Sequence, residues 1–323
     1  MAKLSRIGVL TSGGDAPGMN AAIRGIVRHA TAQGISVFGI RRGYSGLIAS
    51  DMVDLTSRSV DRVLRLGGTM LYTARCEEMF TEEGRERAAA TCRHMGLDGL
   101  VVIGGDGSFR GALTLAQRGI AAIGVPATID NDIACTDYSI GFDTACNTAV
   151  DCVDKLRDTM QSHERCSVVE VMGRRAGHLA LHVGVAAGAT SILLPERTAD
   201  IEADIIEPIR MGRLKGRYHH LIIVAEGYGS AQDIAGKVEE TTGMEARVTI
   251  LGHIQRGGTP SAQDRVVATQ MGYHAADLLL QGKRGRLVVT KEGNVMDCDM
   301  EEGLEKQKDL CHSLFEAAQS VTT

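Results

Sequence analysis

The chain has 323 residues, of which 35 are Lys or Arg and 40 are Asp or Glu, giving a formal net charge of −5. This length is enough for about two domains. The absence of a basic excess argues against a nucleic acid or an anionic membrane surface as partner. The 39 glycines and the low aromatic content of 3% are typical of α/β proteins with many tight turns.

The predicted strands are short apolar runs bounded by glycine. They cover 7–10, 37–40, 100–103, 121–125, 167–171, 191–194, 221–225 and 247–251. The segments between them have helical periodicity, seen in the apolar stripe from Ile23 to Ala30 and in the helix expected at 144–160. Continuous apolar strands that alternate with amphipathic helices indicate parallel sheets covered on both faces. The predicted fold class is α/β, with two Rossmann-like three-layer α/β/α domains and the active site in the cleft between them.

The eight cysteines are scattered without a CxxC pair, which predicts reduced thiols and neither a disulfide framework nor a metal site. The apolar run near the N-terminus is too short for a signal peptide. No run approaches the ~20 apolar residues of a membrane span. We therefore expect a soluble, cytoplasmic protein.

Two glycine-rich turns, Thr11–Gly18 and Gly104–Ser108, follow predicted strands and open predicted helices. Adjacent glycines let a backbone approach a phosphate closely, and a helix N-terminus favours an anion. The first of these turns matches neither GxGxxG nor GxxxxGK[ST], which weakens a dinucleotide or P-loop interpretation. Asp106 could coordinate Mg²⁺, which prefers carboxylates together with phosphate oxygens. An ordinary tight turn would explain either segment alone, but two such turns favour a phosphate site.

The loop Thr128–Asp132 follows a third predicted strand and carries two acids. Asp130 could accept a hydroxyl proton as the attacking oxygen approaches a phosphoryl group. Asp132 could hold the metal or alter the electrostatics of its neighbour. The alternative is a simple Asx-rich turn.

Several arginines stand beside glycines near strand ends, and an arginine fork binds phosphate through two hydrogen bonds. A single arginine is more often a solvated surface residue. On spacing alone, Arg24 and Arg28 are best explained as part of a solvated helix face. The arginines that favour a phosphate ligand are Arg75, Arg165, Arg174, Arg175, Arg247 and Arg256.

Over nearly its whole length the chain resembles the bacterial ATP-dependent 6-phosphofructokinase family. The supporting motifs are TSGGDAPGMNAAIR (11–24), LYTARC (71–76), VVIGGDGSF (101–109), TIDNDI (128–133), IGFDTA (140–145), SHER (162–165), EVMGR (170–174), IIVAEG (222–227) and LGHIQRGG (251–258). Many long matches in the same order make the resemblance specific.

The resemblance implies a nucleotide side and a catalytic centre. Asp130 would be the base that activates the sugar 1-hydroxyl, with Thr128 and Arg174 on the transferring phosphoryl group and Asp132 towards the metal. Mg²⁺ would lie at Asp106. ATP would contact Gly14, Arg75, Cys76, Gly105, Asp106, Gly107 and Ser108.

The resemblance also implies a sugar-phosphate side in a homotetramer whose sites are shared, with Arg165 and Arg247 reaching fructose 6-phosphate in a neighbouring subunit. The implied domains are 1–141 plus 255–305 for ATP and Mg²⁺, and 142–254 plus 306–323 for fructose 6-phosphate. The substrate contacts would be Thr128, Ile129, Asp130, Arg165, Met172, Gly173, Arg174, Glu226, Arg247, His253, Ile254, Gln255 and Arg256.

The family divides by phosphoryl donor. Pyrophosphate users resemble GGDDS and PKTIDND, whereas this chain has Gly107 and Ala127 at the corresponding positions. Gly107 leaves room for a nucleotide, and Ala127 lacks the charge that lysine would offer pyrophosphate. ATP users usually carry glycine at 127, so Ala127 is a mild departure. The alternatives are a pyrophosphate-dependent enzyme and a non-catalytic metabolite-sensing protein of the same fold.

Regulated members bind ADP or phosphoenolpyruvate between subunits. Thr190 stands where the family usually has glutamate, and Tyr218 where it usually has lysine, which removes a partner for the effector's Mg²⁺ and a cation for its phosphate. We therefore expect an altered or weakened effector response. The matching residues are Arg24, Arg28, Arg157, Gly188, Ala189, Thr190, Lys215, Arg217, Tyr218 and His219.

Overall fold

The structure is a computed structural model and describes residues 4–322. These residues form two compact units. The first contains the chain through Thr128, Ile133–Thr144 and Arg256–Lys308, and the second contains Ile129–Asp132, Ala145–Gln255 and the chain from Asp309 onward. Within the described residues, no helix has both the length and the apolar character needed to cross a bilayer.

The strands, numbered along the chain, are β1 (Arg6–Thr11), β2 (Ser36–Ile40), β3 (Met52–Leu55), β4 (Gly99–Gly104), β5 (Ala122–Pro126), β6 (Cys166–Val171), β7 (Ser191–Leu193), β8 (His220–Ala225), β9 (Ala246–Ile250), β10 (Arg286–Lys291) and β11 (Asn294–Asp299). The helices are α1 (Met19–Ala32), α2 (Gly43–Ile48), α3 (Glu82–His94), α4 (Asp106–Gln117), α5 (Phe142–Ser162), α6 (His178–Ala186), α7 (Glu207–Leu214), α8 (Ala231–Thr242), α9 (Ala262–Leu280), α10 (Met300–Glu305) and α11 (His312–Thr322). Short 3₁₀ turns occupy Glu77–Phe80 and Gly252–Arg256, and a π turn occupies Glu202–Ile206.

The first unit has a seven-stranded sheet in the order β11-β10-β5-β4-β1-β2-β3. Its inner strands pair in parallel, while β3 and β11 pair antiparallel at the two edges. Every residue of β4 and β5 is buried, as expected for parallel strands covered on both faces. Because β1, β4 and β5 are neighbours, the turns that follow them lie along one edge of the sheet.

Helices α1 and α9 of the first unit pack at short range because glycines face the contact. A Cβ added at Gly25 would lie 2.6 Å from Thr269 O, and one added at Gly272 would lie 2.2 Å from Ala22 O. Neither contact leaves room for a side chain, so the two glycines set how closely the helices approach.

The second unit has a fully parallel four-stranded sheet in the order β7-β8-β6-β9. Its core is aliphatic and includes Val168, Ile222 and Val224 from the central strands and Ile209 from α7. The central strand β6 carries Arg165 just before its amino end and Met172 just after its carboxyl end. Functional residues at these two positions therefore lie at opposite edges of the sheet.

The predicted α/β class and mostly parallel sheets are confirmed, and each of the eight predicted strands is present within one residue of its expected bounds. Three further strands, β3, β10 and β11, were not predicted. Strands β3 and β11 are edge strands with polar residues and mostly incomplete burial. They therefore lack the continuous apolar pattern that marks the inner strands.

Candidate active site

The two glycine-rich turns singled out in the sequence and Thr128, the first residue of the third loop, are neighbours in the first unit. Ser12 N donates a hydrogen bond to Ile103 O at 3.0 Å, and Ala127 N donates to Gly104 O at 2.9 Å. These bonds continue the parallel pairing of β1, β4 and β5 beyond the strands. The two glycine-rich turns and the start of the Thr128 loop thus share the carboxyl edge of the sheet, where α/β proteins bind ligands.

The turn after β1 lies against the side chain of Arg256. Arg256 Nη1 donates to Asp15 O at 3.2 Å, and a Cβ added at Gly14 would lie 2.4 Å from the same nitrogen. On the other side of the turn, Thr73 Oγ1 donates to Gly13 O at 2.7 Å. Glycine at position 14 therefore allows a guanidinium to approach the turn that we associate with phosphate.

Asp106 is the first residue of α4, and its side chain is 49% exposed. Its Oδ2 accepts a hydrogen bond from Arg110 Nε at 2.9 Å. No group of three or more His, Cys, Asp or Glu suited to a metal occurs within residues 4–322. One exposed carboxylate does not form a cage for a resident ion, but it fits Mg²⁺, which is commonly bound by one or two carboxylates plus phosphate oxygens and water.

The segment carrying Arg75 and Cys76 lies beside the end of β1. Thr11 Oγ1 donates to Tyr72 O at 2.9 Å, and Tyr72 has a φ of 57°, a left-handed conformation that is uncommon for a bulky side chain. The Arg75 side chain is exposed and Cys76 is half-buried. The chain that leads to both residues is therefore attached to β1 and to the glycine-rich turn at Tyr72 and Thr73.

The loop Ile129–Asp132 belongs to the second unit, where it contains a buried carboxylate. Asp130 is 1% exposed, and its Oδ2 lies 3.5 Å from Arg174 Nε. A carboxylate removed from water is costly unless charge or hydrogen bonds compensate for its desolvation, and this guanidinium supplies such a charge. The Arg174 side chain is 60% exposed, so it can also contact a ligand.

The backbone of Arg174 is fixed by Glu226 at the end of β8. Glu226 Oε1 accepts hydrogen bonds from Gly173 N at 3.2 Å and from Arg174 N at 2.6 Å. Arg174 has a φ of 56°, a left-handed conformation that is strained for a residue other than glycine, whereas Gly173 adopts its φ of 140° without that cost. Such strain persists only when the surroundings impose it, which makes Glu226 the residue that positions Arg174.

Gln255 supports the site from inside the second unit. Its side chain is fully buried, with Oε1 accepting from Met172 N at 3.2 Å and Nε2 donating to Gly252 O at 3.0 Å. The adjacent Ile254 is 53% exposed, and His253 is also exposed. Within the 252–256 turn, Gln255 therefore holds the backbone, while its two preceding neighbours remain accessible.

Arg165 and Arg247 lie at the other edge of the second sheet. Both form ion pairs with Glu245, and in the β6–β9 pairing Arg247 stands opposite Ser167. A strand of this length separates its two ends by about 17 Å. These two arginines therefore lie at the amino ends of their strands, whereas Met172 and Arg174 follow the carboxyl end of β6.

The residues expected at an effector site are divided between the two units. Arg28 belongs to the first unit and pairs with Asp61 on the surface, and Arg24 in the same helix is half-buried. In the second unit, Arg157 donates to Ala187 O. Burial, together with the nearby Arg157 and Arg217, lowers the pKa of His219.

Thr190 is turned into the second unit and is only 5% exposed. Its Oγ1 lies 3.3 Å from His220 Nδ1, and burial is the main cause that lowers the pKa of His220 to about 4. The preceding Gly188 has a φ of 59° and Ala189 is buried. The short Thr190 side chain thus belongs to the interior of the fold.

A cavity of about 420 Å³ lies beside Thr190 in the second unit. It is mostly apolar, with Met211 of α7 and Phe315 of α11 in its lining, and Lys215 and Arg217 contribute cations. This volume falls in the range of small-molecule pockets. Tyr218, in contrast, is 51% exposed and does not line the cavity.

Asp264 was missed by the sequence analysis, although Ser261 and Asp264 have the spacing of an N-terminal helix cap. It is fully buried in the first unit, where its carboxylate accepts from Gly141 N at 2.7 Å and Thr144 N at 2.9 Å. It also accepts from the hydroxyls of Thr144 and Tyr138. Asp264 therefore fixes the segment that leads into α5.

Residues 6–279 match the Phosphofructokinase family. A curated ATP-dependent 6-phosphofructokinase of Clostridium botulinum is 53% identical over 312 residues, covering 97% of this chain and 98% of that protein. The protein of the same name from Clostridium acetobutylicum is 52% identical over 319 residues, covering 99% and 100% respectively. This chain belongs to the phosphofructokinase family.

A solved structure titled phosphofructokinase from Saccharomyces cerevisiae superposes with a TM-score of 0.88 at 35% identity. The match covers 98% of this chain and 47% of the yeast chain. This chain thus spans about half the length of the yeast protein that it resembles in structure.

Proposed function

We propose that this protein transfers the γ-phosphoryl group of ATP to the 1-hydroxyl of D-fructose 6-phosphate, forming fructose 1,6-bisphosphate and ADP in cytoplasmic glycolysis. Family membership and the names of the relatives at 52–53% identity support the reaction. The structural observation that carries the proposal is the buried Asp130 carboxylate 3.5 Å from the partly exposed Arg174 guanidinium. This arrangement provides a proton acceptor beside a cation that suits phosphoryl oxygens.

The second unit would position the acceptor sugar. Asp130 takes the proton of the 1-hydroxyl as its oxygen attacks, and Arg174 offsets negative charge on the phosphoryl group. Glu226 keeps Arg174 in place through two backbone hydrogen bonds. Met172, Gly173 and His253 complete the sugar side.

The first unit would hold the nucleotide. The turns at Gly14 and Gly105–Ser108 place backbone N–H groups near the phosphates, with Arg75 and Cys76 beside them. Thr128 and Asp132 would assist at the transferring group. Mg²⁺ held near Asp106 would neutralise charge on the phosphate oxygens. Catalysis then rests on positioning and charge stabilisation.

The choice of ATP over pyrophosphate is testable at Gly107. A Cβ added there meets no atom within 4 Å, and an acid is tolerated in the first turn of a helix, so Gly107→Asp should fold normally. A second carboxylate next to Asp106 would repel the nucleotide phosphates. We expect the KM for ATP to rise at least about tenfold with an unchanged Tm, measured by coupled assay with ATP and pyrophosphate in parallel.

Gly236→Asp is the matched control, since Gly236 is also a helical glycine with open space around it. It should leave the KM for ATP unchanged. Faster turnover of the parent protein with pyrophosphate than with ATP would overturn the donor assignment. Absence of turnover with either donor would favour the metabolite-sensing alternative.

We also propose a homotetramer with shared sites. The support comes from Arg165 and Arg247, which lie at the amino edge of the second sheet, while Met172 and Arg174 follow the carboxyl end of β6. Because Arg165 and Arg247 lie at the opposite edge of the sheet from Arg174 of the same chain, we propose that they bind the sugar phosphate in the site of a neighbouring subunit.

We propose that the response of this protein to ADP or phosphoenolpyruvate is altered or weaker than in regulated members of the family. Thr190 bonds within the fold and carries no charge, so it offers no carboxylate to an effector's metal ion. We expect either effector to shift the half-saturating fructose 6-phosphate concentration by less than about fivefold, the lower end of typical allosteric coupling. Saturation curves with and without each effector measure this, and a larger shift with both would contradict it.

A further inference from the structure

We propose that the cavity between α7 and α11 of the second unit binds a small organic anion with an apolar body, such as an aromatic sulfonate or carboxylate. The cavity has a volume of about 420 Å³, which is in the range of pockets that enclose a small molecule. All of its lining residues belong to the second unit. It shares Thr190, Lys215 and Arg217 with the expected effector site, but its walls on α7 and α11 lie outside that set.

The walls of the cavity are mostly aliphatic and aromatic. They include Ile192 of β7, Met211 of α7 and Phe315 of α11. The guanidinium of Arg197 lies over the Phe315 ring, 4.7 Å from its centre, so a cation–π contact attaches α11 to the segment after β7. Met211 is 42% exposed and therefore lies at the rim, where a ligand can enter. Burial of its apolar body against these walls would favour binding.

The two acids in the cavity lining already face cations. Asp204 Oδ1 lies 3.8 Å from Arg197 Nη2, and Glu207 Oε2 lies 3.9 Å from Arg210 Nη1. Asp204 Oδ2 also accepts a hydrogen bond from Asp200 N at 2.8 Å. The negative charges of the lining are thus compensated within the fold, and they stand at the start of α7.

Lys215 and Arg217 give the cavity a positive charge at the other end of α7. The chain turns back after this helix, because Arg217 N donates to Gly212 O at 2.9 Å and Gly216 has a φ of 82°. A Cβ added at Gly212 would lie 3.3 Å from Arg217 Nε, so the guanidinium lies against the last turn of the helix. Both cations line the cavity and suit the oxygens of an anionic group.

The hydroxyls beside β7 have contacts inside the fold. Thr190 Oγ1 lies 3.3 Å from His220 Nδ1, and Ser191 Oγ donates to Asp204 O at 2.6 Å. These hydroxyls are therefore poorly suited to a sugar, and Thr190 offers no carboxylate to a metal ion. The lining instead favours a ligand whose polarity is concentrated in one anionic group.

The test titrates the full-length protein with 8-anilinonaphthalene-1-sulfonate, which fluoresces in apolar sites, and with N-phenyl-1-naphthylamine, which has the same rings without the sulfonate. Saturating fructose 6-phosphate and a non-hydrolysable ATP analogue keep both probes out of the sites of the reaction. For the sulfonate we expect one saturable site per chain with a Kd of roughly tens of micromolar. It should bind at least about tenfold more tightly than the uncharged probe, as for a hydrogen bond to a charged group. Equal affinities, or no saturable binding to folded protein, would overturn the proposal.

Arg217→Met tests the anionic group, because it removes the cation and keeps an apolar chain. It should weaken the sulfonate probe at least about tenfold and leave the uncharged probe unchanged. Lys237→Met is the control, since Lys237 is an exposed cation of α8 that does not line the cavity. If Arg217→Met lowers the Tm, Lys215→Met provides the same comparison at an exposed position. Unchanged sulfonate affinity in a variant with the parent Tm would contradict the assigned cations.

Ala203→Trp tests the cavity itself. Ala203 is exposed and lines the cavity, so a large side chain there fills space without replacing a core residue. Binding of both probes should be lost at an unchanged Tm. Ala317→Trp, at an exposed position of α11 outside the lining, should bind both probes like the parent. Parent-like binding to folded Ala203→Trp would place the probe elsewhere and overturn the proposal.

The cavity site does not rest on the proposed function. Turnover of fructose 6-phosphate is measured in the same preparations. A protein that binds the sulfonate probe but lacks turnover would contradict the proposed function and leave the cavity site intact. An active protein without saturable probe binding would contradict the cavity site alone.

Discussion

Replacing Asp130 by asparagine is expected to lower kcat by a factor of about 10² to 10⁴, the range for loss of a general base. The amide keeps the size of the carboxylate but cannot take the proton of the 1-hydroxyl. Binding of fructose 6-phosphate should persist, because Arg174 keeps its two backbone bonds to Glu226. Single-turnover kinetics and direct substrate titration measure the two effects separately.

Asp137→Asn is the matched control for this experiment. Asp137 lies in the same stretch of chain, but it is exposed and pairs with Lys291 at 2.8 Å on the surface. Its replacement should leave kcat within about twofold of the parent, as for surface charges outside a site. If Asp130→Asn retains the parent kcat with an unchanged Tm, Asp130 is not the base.

Replacing Asp264 by asparagine is expected to destabilise the protein by about 2–4 kcal/mol. Each carboxylate oxygen of Asp264 accepts two hydrogen bonds, one of them from a backbone N–H. In asparagine one of these oxygens is replaced by an NH₂ group, which cannot accept a hydrogen bond from the backbone N–H that faces it. Each buried donor left without an acceptor costs about 1–3 kcal/mol. Urea denaturation of both proteins gives the difference in unfolding free energy.

Asp299→Asn provides the comparison for Asp264. Asp299 caps α10 by accepting from Glu301 N and Glu302 N, and its side chain is 43% exposed. Asparagine is as good an N-cap as aspartate, so this variant should differ from the parent by less than about 0.5 kcal/mol. If both variants lose the same unfolding free energy, burial of the hydrogen bonds around Asp264 contributes nothing to stability beyond local helix capping.

The predicted strands and the residues in their following turns could be found in the sequence because inner parallel strands have continuous apolar runs. Edge strands such as β11 have a mixed pattern, and the network around Asp264 joins chain segments that are far apart. The sequence also could not show that the Gln255 side chain supports the backbone from inside the fold, because a glutamine that contacts a substrate and one that is buried look the same in a sequence. Only burial distinguishes them.

The sequence by itself determined the α/β class, the positions of the inner strands and the loops that carry Asp106, Asp130 and Arg174, since hydrophobic periodicity and turn-forming residues are local properties. Tertiary structure decided which side chains meet. Arg256 contacts Asp15 across 241 residues, and Arg174 reaches Asp130 from another strand. These contacts depend on the strand order and on close packing. Because both arise from the burial of whole surfaces, no single position in the sequence reveals them.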